Sequence, residues 1–171
     1  YGVGAGNATM VIDETADVVE AARNTAISKT NDHGSGCSAD GNLVVDASIY
    51  DAMLTQLQKE GGYLVNAEEK ELLRQAYWDE EGRRTADTIA RPAVAIARKA
   101  GINLPDGKSF FMVEEQRIGK QSPYSTEKLG VVLGIFKAQG FDDALDKVRQ
   151  IFETGGRGHS CGIYSFNSST T

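Results

Sequence analysis

Short apolar, β-branched runs alternate along this chain with stretches of helical periodicity, and that alternation marks an α/β layered domain: a sheet with flanking helices. Thr9 to Ile12, Asn42-Leu43-Val44-Val45-Asp46, Phe110 to Val113 and Val131 to Phe136 predict strands. Between them, Asp13-Glu14-Thr15 supplies caps for a helix carrying Val18, Val19, Ala22 and Ala26 on one face and ending near Lys29. A second helix is predicted over Ser48 to Lys59, with Ile49, Met53 and Leu57 at helical spacing and Gly61-Gly62 ending it. Ala67 to Trp78, Pro92 to Ala100 and Asp142 to Thr154 complete the set, the fourth opening on its proline. The charged stretch Asp79 to Arg91 reads as a solvated loop in which Arg83, Arg84 and Arg91 are candidates to face an anionic ligand.

Composition narrows the function. With 171 residues, 40% of them hydrophobic and 25% charged, the chain has the mass and apolar content of one ordinary globular domain. A net charge of -6 without a basic cluster argues against nucleic acid as partner. The longest apolar run, Val131 to Phe136, is of strand length and too short to span a bilayer. Two cysteines make no disulfide framework and fit a reducing, cytoplasmic setting. Residues 167–171, Asn-Ser-Ser-Thr-Thr, form a polar tail without a core pattern.

Cys37 stands in Ser28-Lys29-Thr30-Asn31-Asp32-His33-Gly34-Ser35-Gly36-Cys37, a polar, glycine-punctuated loop running from helix to buried strand. A structural cysteine behaves as a small hydrophobe and belongs among Val, Leu and Ile, whereas a working thiol belongs in such a loop, with Lys29 and His33 placed to favour the thiolate. Nucleophilic chemistry is the expectation; a plain loop thiol is the bland alternative. A second alternative gathers His33, Cys37, His159 and Cys161 into a structural zinc site, although neither pair has Cys-x-x-Cys spacing and zinc would consume the nucleophile. No metal is expected.

The cysteine loop resembles that of the aldehyde dehydrogenase superfamily in its coenzyme A-acylating branch, which reads Lys-Thr-Phe-Asp-Asn-Gly, two residues, Cys. Lys29, Thr30, Asp32, Gly34 and Cys37 match, with Asn31 in place of Phe and His33 in place of Asn. Three further segments resemble the family in the expected order: Gly4-Ala5-Gly6-Asn7 followed by Asp13-Glu14-Thr15-Ala16-Asp17, then Thr126-Glu127-Lys128-Leu129-Gly130, then Gly155-Gly156-Arg157-Gly158-His159-Ser160.

The resemblance implies that residues 1–166 are an aldehyde dehydrogenase-like catalytic domain, excised from a longer enzyme whose N-terminal nucleotide-binding domain is absent from this chain. It implies NAD(P)-dependent oxidation of a small-molecule aldehyde through a thiohemiacetal and thioester on Cys37, with NAD or NADP as cofactor and coenzyme A as acyl acceptor. Glu127 would bind the ribose beside the nicotinamide, Gly4, with Gly6 and Asn7, would shape the backbone beneath the cofactor, and His33 and His159 would support the site. The full-length enzyme would be a cytoplasmic homo-oligomer and the fragment alone inactive as a dehydrogenase. The Gly158-His159-Ser160-Cys161-Gly162-Ile163 wording leans toward the sulfoacetaldehyde subgroup. Hydrolytic members carry a glutamate base sixteen residues before the position of Asp17; here that position is Tyr1, so acyl-CoA is expected and a free acid is the alternative product.

Overall fold

The structure is a computed structural model and describes residues 6–119 and 121–166. Six strands form one fully parallel sheet: β1 (Thr9–Ile12), β2 (Asn42–Asp46), β3 (Gly62–Leu64), β4 (Phe110–Glu114), β5 (Val132–Ala138) and β6 (Cys161–Tyr164), in the order β3-β4-β5-β2-β1-β6. The helices are α1 (Val18–Thr30), α2 (Tyr50–Lys59), α3 (Ala67–Tyr77), α4 (Ala93–Ala100) and α5 (Phe141–Thr154). β2 and β5 lie at the centre in register, Val44 beside Phe136, and both are apolar almost throughout because both faces are covered. Ile12, Leu43 and Val45 turn to the larger core formed with α1 to α4, whereas Val11, Val44 and Phe136 turn to α5 and meet Ala144, Val148 and Ile151.

The predicted strands and helices are all present, and their boundaries moved for local reasons. α1 is capped by Asp17, whose carboxylate accepts from the N–H groups of Val19 and Glu20, rather than by Asp13 to Thr15. Asp13 instead accepts from the Thr15 N–H and hydroxyl, closing a turn after β1. The same device follows β2, where Asp46 accepts from the N–H and hydroxyl of Ser48, and α2 therefore begins at Tyr50, two residues later than expected. Val19, assigned to the buried face of α1, is 58% exposed; Ala21, Ala22, Thr25, Ala26 and Lys29 take that face. Pro92 is the cap of α4 rather than its first residue. Periodicity missed β3, which has three residues and starts at the Gly62 expected to end a helix, and β6, a partly exposed edge strand opening Cys161-Gly162.

Topology decides where function can sit. Each helix or return segment carries the chain from the carboxyl end of one strand back to the amino end of the next. α1 delivers the Cys37 loop to the start of β2, α5 delivers the Gly155 to Ser160 turn to the start of β6, and the segment after β4 returns Glu127 and Lys128 to the start of β5. Gly6 and Asn7 precede β1. Gly6-Asn7, the cysteine loop, Glu127-Lys128 and the Gly155 turn therefore collect at the amino ends of the strands, opposite to the carboxyl-end crevice that open α/β sheets ordinarily use, while Asp13 to Asp17 lies at the carboxyl end of β1.

Candidate active site

Cys37 occupies the second position of a tight turn closed by Ala39 N–H donating to Gly36 O at 3.0 Å, which lifts its thiol to the surface as a free, exposed group. Among the described residues nothing accepts from the Cys37 N–H, which leaves that donor available to a developing oxyanion. The base of the loop is stapled. Lys29, 1% exposed, donates from Nζ to Asp40 O at 2.8 Å, and Asp40 N–H donates to Ser28 Oγ at 3.0 Å. Burial brings Lys29 down to about 8 despite the opposing pull of Asp40, and burial pushes the Asp40 carboxyl up. The contact the structure gives Lys29 is this one, which closes the thiol loop. Asp32 and His33 lie in the left-handed region at φ 45° and 53°, and His33 is exposed.

Gly6 joins the first three motifs. Its N–H donates to Glu127 Oε1 at 2.8 Å, and a Cβ built on it would fall 2.5 Å from that oxygen, 2.9 Å from Cys37 O and 3.3 Å from Cys37 Cα. On the other side, a Cβ on Gly156 would collide with Gly6 O, so the fourth motif packs against the first with no room for a side chain. The Glu127 carboxylate is thereby held across one residue from the backbone of the thiol loop. Arg84 grips the same residue, donating from Nη1 to Glu127 O at 2.9 Å and lying 3.6 Å from Oε2. Of the three arginines singled out in the charged loop, Arg84 alone reaches these motifs. Arg83 pairs with Asp79 and Glu81, and Arg91 is exposed.

Beneath this lies a buried polar network that the sequence did not announce. Lys128, 1% exposed, donates to Tyr124 O at 2.6 Å, Thr126 O at 2.8 Å and Asn42 Oδ1 at 3.0 Å. Asn42 Nδ2 donates to Asn7 Oδ1 at 2.7 Å, and Asn7 Nδ2 donates to Ser125 O at 2.8 Å and Gly155 O at 3.3 Å. Burial, and then the charge of Lys29, hold Lys128 well below the usual lysine range. A small crevice lined by Asn7, Lys29, Gly36, Cys37, Glu127 and Lys128 is where these groups converge.

His159 closes the Gly-rich turn through its N–H to Gly156 O at 2.9 Å, and its Nδ1 meets its neighbour Ser160 Oγ at 3.0 Å; the contacts are local and those of a turn residue. Cys161 starts the edge strand β6, and burial of its surroundings raises its thiol. Among the described residues no three His, Cys, Asp or Glu side chains group to hold a metal ion, so the zinc alternative finds no geometric support. Also among them, no helix is long and apolar enough to cross a membrane. Gly4 and Tyr1 lie outside the described residues.

No family model matches the chain. It is 35% identical over 170 residues to a sulfoacetaldehyde dehydrogenase (acylating) of Bilophila wadsworthia, covering 97% of this chain and 37% of that protein. It is 34% identical over 164 residues to the bifunctional aldehyde-alcohol dehydrogenase of Escherichia coli K12, covering 96% of this chain and 18% of that one. Its fold superposes on an acetylating aldehyde dehydrogenase from Geobacillus thermoglucosidasius with a TM-score of 0.95 at 32% identity, over 99% of this chain and 37% of that structure. The chain thus spans little more than a third of even the shorter of these two relatives.

Proposed function

The chain belongs to the aldehyde dehydrogenase superfamily, and from that premise we propose that residues 1–166 are the cysteine-bearing catalytic domain of a coenzyme A-acylating, NAD(P)-dependent aldehyde dehydrogenase. A nucleotide-binding domain outside this chain would complete it. One observation supports the reading: Gly6 packs against the Cys37 backbone and donates to the Glu127 carboxylate, an arrangement that would set a nucleophile beside a hydroxyl-binding acid.

In this reading the Cys37 thiolate adds to the aldehyde carbonyl, forming a carbon–sulfur bond, and the oxygen that takes the electron pair meets the Cys37 N–H. The Glu127 carboxylate fits a ribose. Its Oε1 accepts a single N–H and its Oε2 has only the longer contact to Arg84, so lone pairs remain for two neighbouring hydroxyls. Nicotinamide dinucleotide, when bound, supplies the hydride acceptor that turns the thiohemiacetal on Cys37 into a thioester. Cys37 then gives up its acyl group to the thiol of coenzyme A by thioester exchange and returns as thiolate. Free, exposed Cys37 suits that cycle and a reducing cytoplasm. The sheet ends in β3 and β6, each paired on one side only among the described residues, and these edges support a homo-oligomer.

The test uses the full-length protein carrying this chain. Cys37→Ala is expected to lower aldehyde-dependent NAD(P) reduction at least ~10³-fold while leaving the fold intact, and Cys161→Ala to lose little. Retention of more than a few per cent of turnover in Cys37→Ala would reject the nucleophile. Product analysis separates the branches. Free acid made from aldehyde and NAD(P) alone, as fast as thioester is made with coenzyme A present, would replace the acylating reading with the hydrolytic one.

A further inference from the structure

We propose that Arg84 is a positioning residue for the Glu127 carboxylate, setting the affinity of the site for a nicotinamide ribose without itself touching it. The inference rests on the reading of Glu127 given above.

Arg84 lies just beyond a charged loop, 79–83, that doubles back on itself. Asp79 N–H donates to Arg83 O at 2.9 Å, Thr85 N–H donates to Tyr77 O at 2.8 Å, and Arg84 forms a backbone bridge with Trp78. This closed hairpin leaves Arg83 outside, 74% exposed and paired with Asp79 and Glu81, and turns Arg84 inward, with 24% of its side chain exposed. The inward guanidinium meets residue 127 at two points, the carbonyl at 2.9 Å and Oε2 at 3.6 Å. With Oε1 fixed by Gly6 N–H at 2.8 Å, both carboxylate oxygens and the main chain of residue 127 are then tied.

The arrangement has a cost. Arg84 Nε is buried and finds no partner among the described residues, a penalty of the kind a surface arginine escapes by swinging into water. Holding both the carbonyl and the carboxylate of one residue through Nη1 offsets it, and the stiff, planar guanidinium fixes that nitrogen in place where a lysine ammonium would sit on a flexible stem. Without Arg84 the Glu127 side chain keeps only the Gly6 N–H. Its carboxylate can then rotate about that contact, and the ribose loses a fixed acceptor.

The experiment measures the dissociation constant of oxidised nicotinamide dinucleotide by calorimetry on the full-length protein. Variants are Arg84→Met, Arg84→Lys, Glu127→Gln and the double variant Arg84→Met/Glu127→Gln. Arg84→Met is expected to weaken binding about tenfold, roughly the effect of one charge-assisted hydrogen bond, and Arg84→Lys to fall between it and the parent. The double variant should bind no more weakly than Glu127→Gln alone, because Arg84 acts only through that carboxylate. The rate of Cys37 alkylation by iodoacetamide should stay unchanged in Arg84→Met, which separates positioning from collapse of the site. If Glu127→Gln weakens binding and Arg84→Met does not, or if their losses add, Arg84 is not a positioning residue and the ribose reading stands. If Glu127→Gln itself leaves binding unchanged, the ribose reading falls and takes this proposal with it.

Discussion

Asn42 donates from Nδ2 to Asn7 Oδ1 at 2.7 Å, tying the amino end of β2 to the residue before β1, and the other oxygen of the pair, Asn42 Oδ1, accepts from Lys128 Nζ at 3.0 Å. Asn7 is held at φ 99° by this bond and by its own donations to Ser125 O and Gly155 O. The segment carrying Glu127, the Gly155 turn and the amino ends of β1 and β2 thus hang from one buried network. Such networks bind strongly when complete and fail badly when one member is lost, because burial removes water as a substitute partner.

Asn42→Leu tests this. Asn42 is fully buried, so the change orphans Asn7 Oδ1 and removes one of three acceptors from a buried ammonium. A loss of about 2–4 kcal/mol is expected, read from the urea midpoint. A variant within 0.5 kcal/mol (about the scatter of surface substitutions) would show that the network carries no weight.

Lys29 makes stability depend on pH in an unusual direction. An unfolded lysine keeps its proton up to its ordinary value of 10.5, whereas the buried one releases it near pH 8. Between these values the unfolded chain binds more protons, so stability rises with pH. The neutral amine still donates to Asp40 O, so the loop staple survives deprotonation. Relative to Lys29→Met, the parent should therefore gain on the order of 3 kcal/mol between pH 8 and pH 10.5, at about 1.4 kcal/mol per pKa unit. Paired denaturation curves across that range measure the difference, and a gap between the two proteins that does not change with pH would refute it.

The left-handed pair Asp32 and His33 predicts an order of stabilities. His33 is exposed, so substitution there acts through backbone conformation at φ 53° rather than through lost packing. Glycine and asparagine accept that region, and a β-branched residue pays most. His33→Gly and His33→Asn should match or exceed the parent, while His33→Val should lose about 1–2 kcal/mol. Thermal melts that rank Val with Gly would sink the argument.

How far the sequence carried can be judged from particular residues. The buried strand 42–46 and the helices were legible because apolar spacing reports burial directly, and the Cys37 loop was legible because a thiol among glycines and polar residues has few structural uses. β6 was not, since an edge strand half open to water needs no apolar pattern. Nor was the Lys128–Asn42–Asn7 network. Its members lie 35 and 86 residues apart in sequence, each looks like an ordinary polar residue locally, and only the parallel sheet brings them together. Arg84 was one of three arginines read as candidates to face an anionic ligand; that it holds the chain's own Glu127, 43 residues on, came only from the fold.

Two glycines flanking the site should respond in opposite ways to the same added methyl group. At Gly6 a Cβ would stand 2.5 Å from Glu127 Oε1 and 2.9 Å from Cys37 O. The carboxylate can swing away, but the Cys37 carbonyl is main chain and must move the thiol loop with it. Gly6→Ala should thus cost about 1–3 kcal/mol, the range for overpacking a tight contact, and should alter the alkylation rate of Cys37. At Gly36, next to the thiol, the same Cβ meets nothing within 4 Å and the backbone is outside the left-handed region. Gly36→Ala should be neutral or stabilise by up to about 1 kcal/mol through a less free unfolded chain. Urea midpoints and iodoacetamide kinetics on the pair decide it. If Gly6→Ala is as stable and as reactive as the parent, the close packing of Gly6 between Cys37 and Glu127 is not what organises the site.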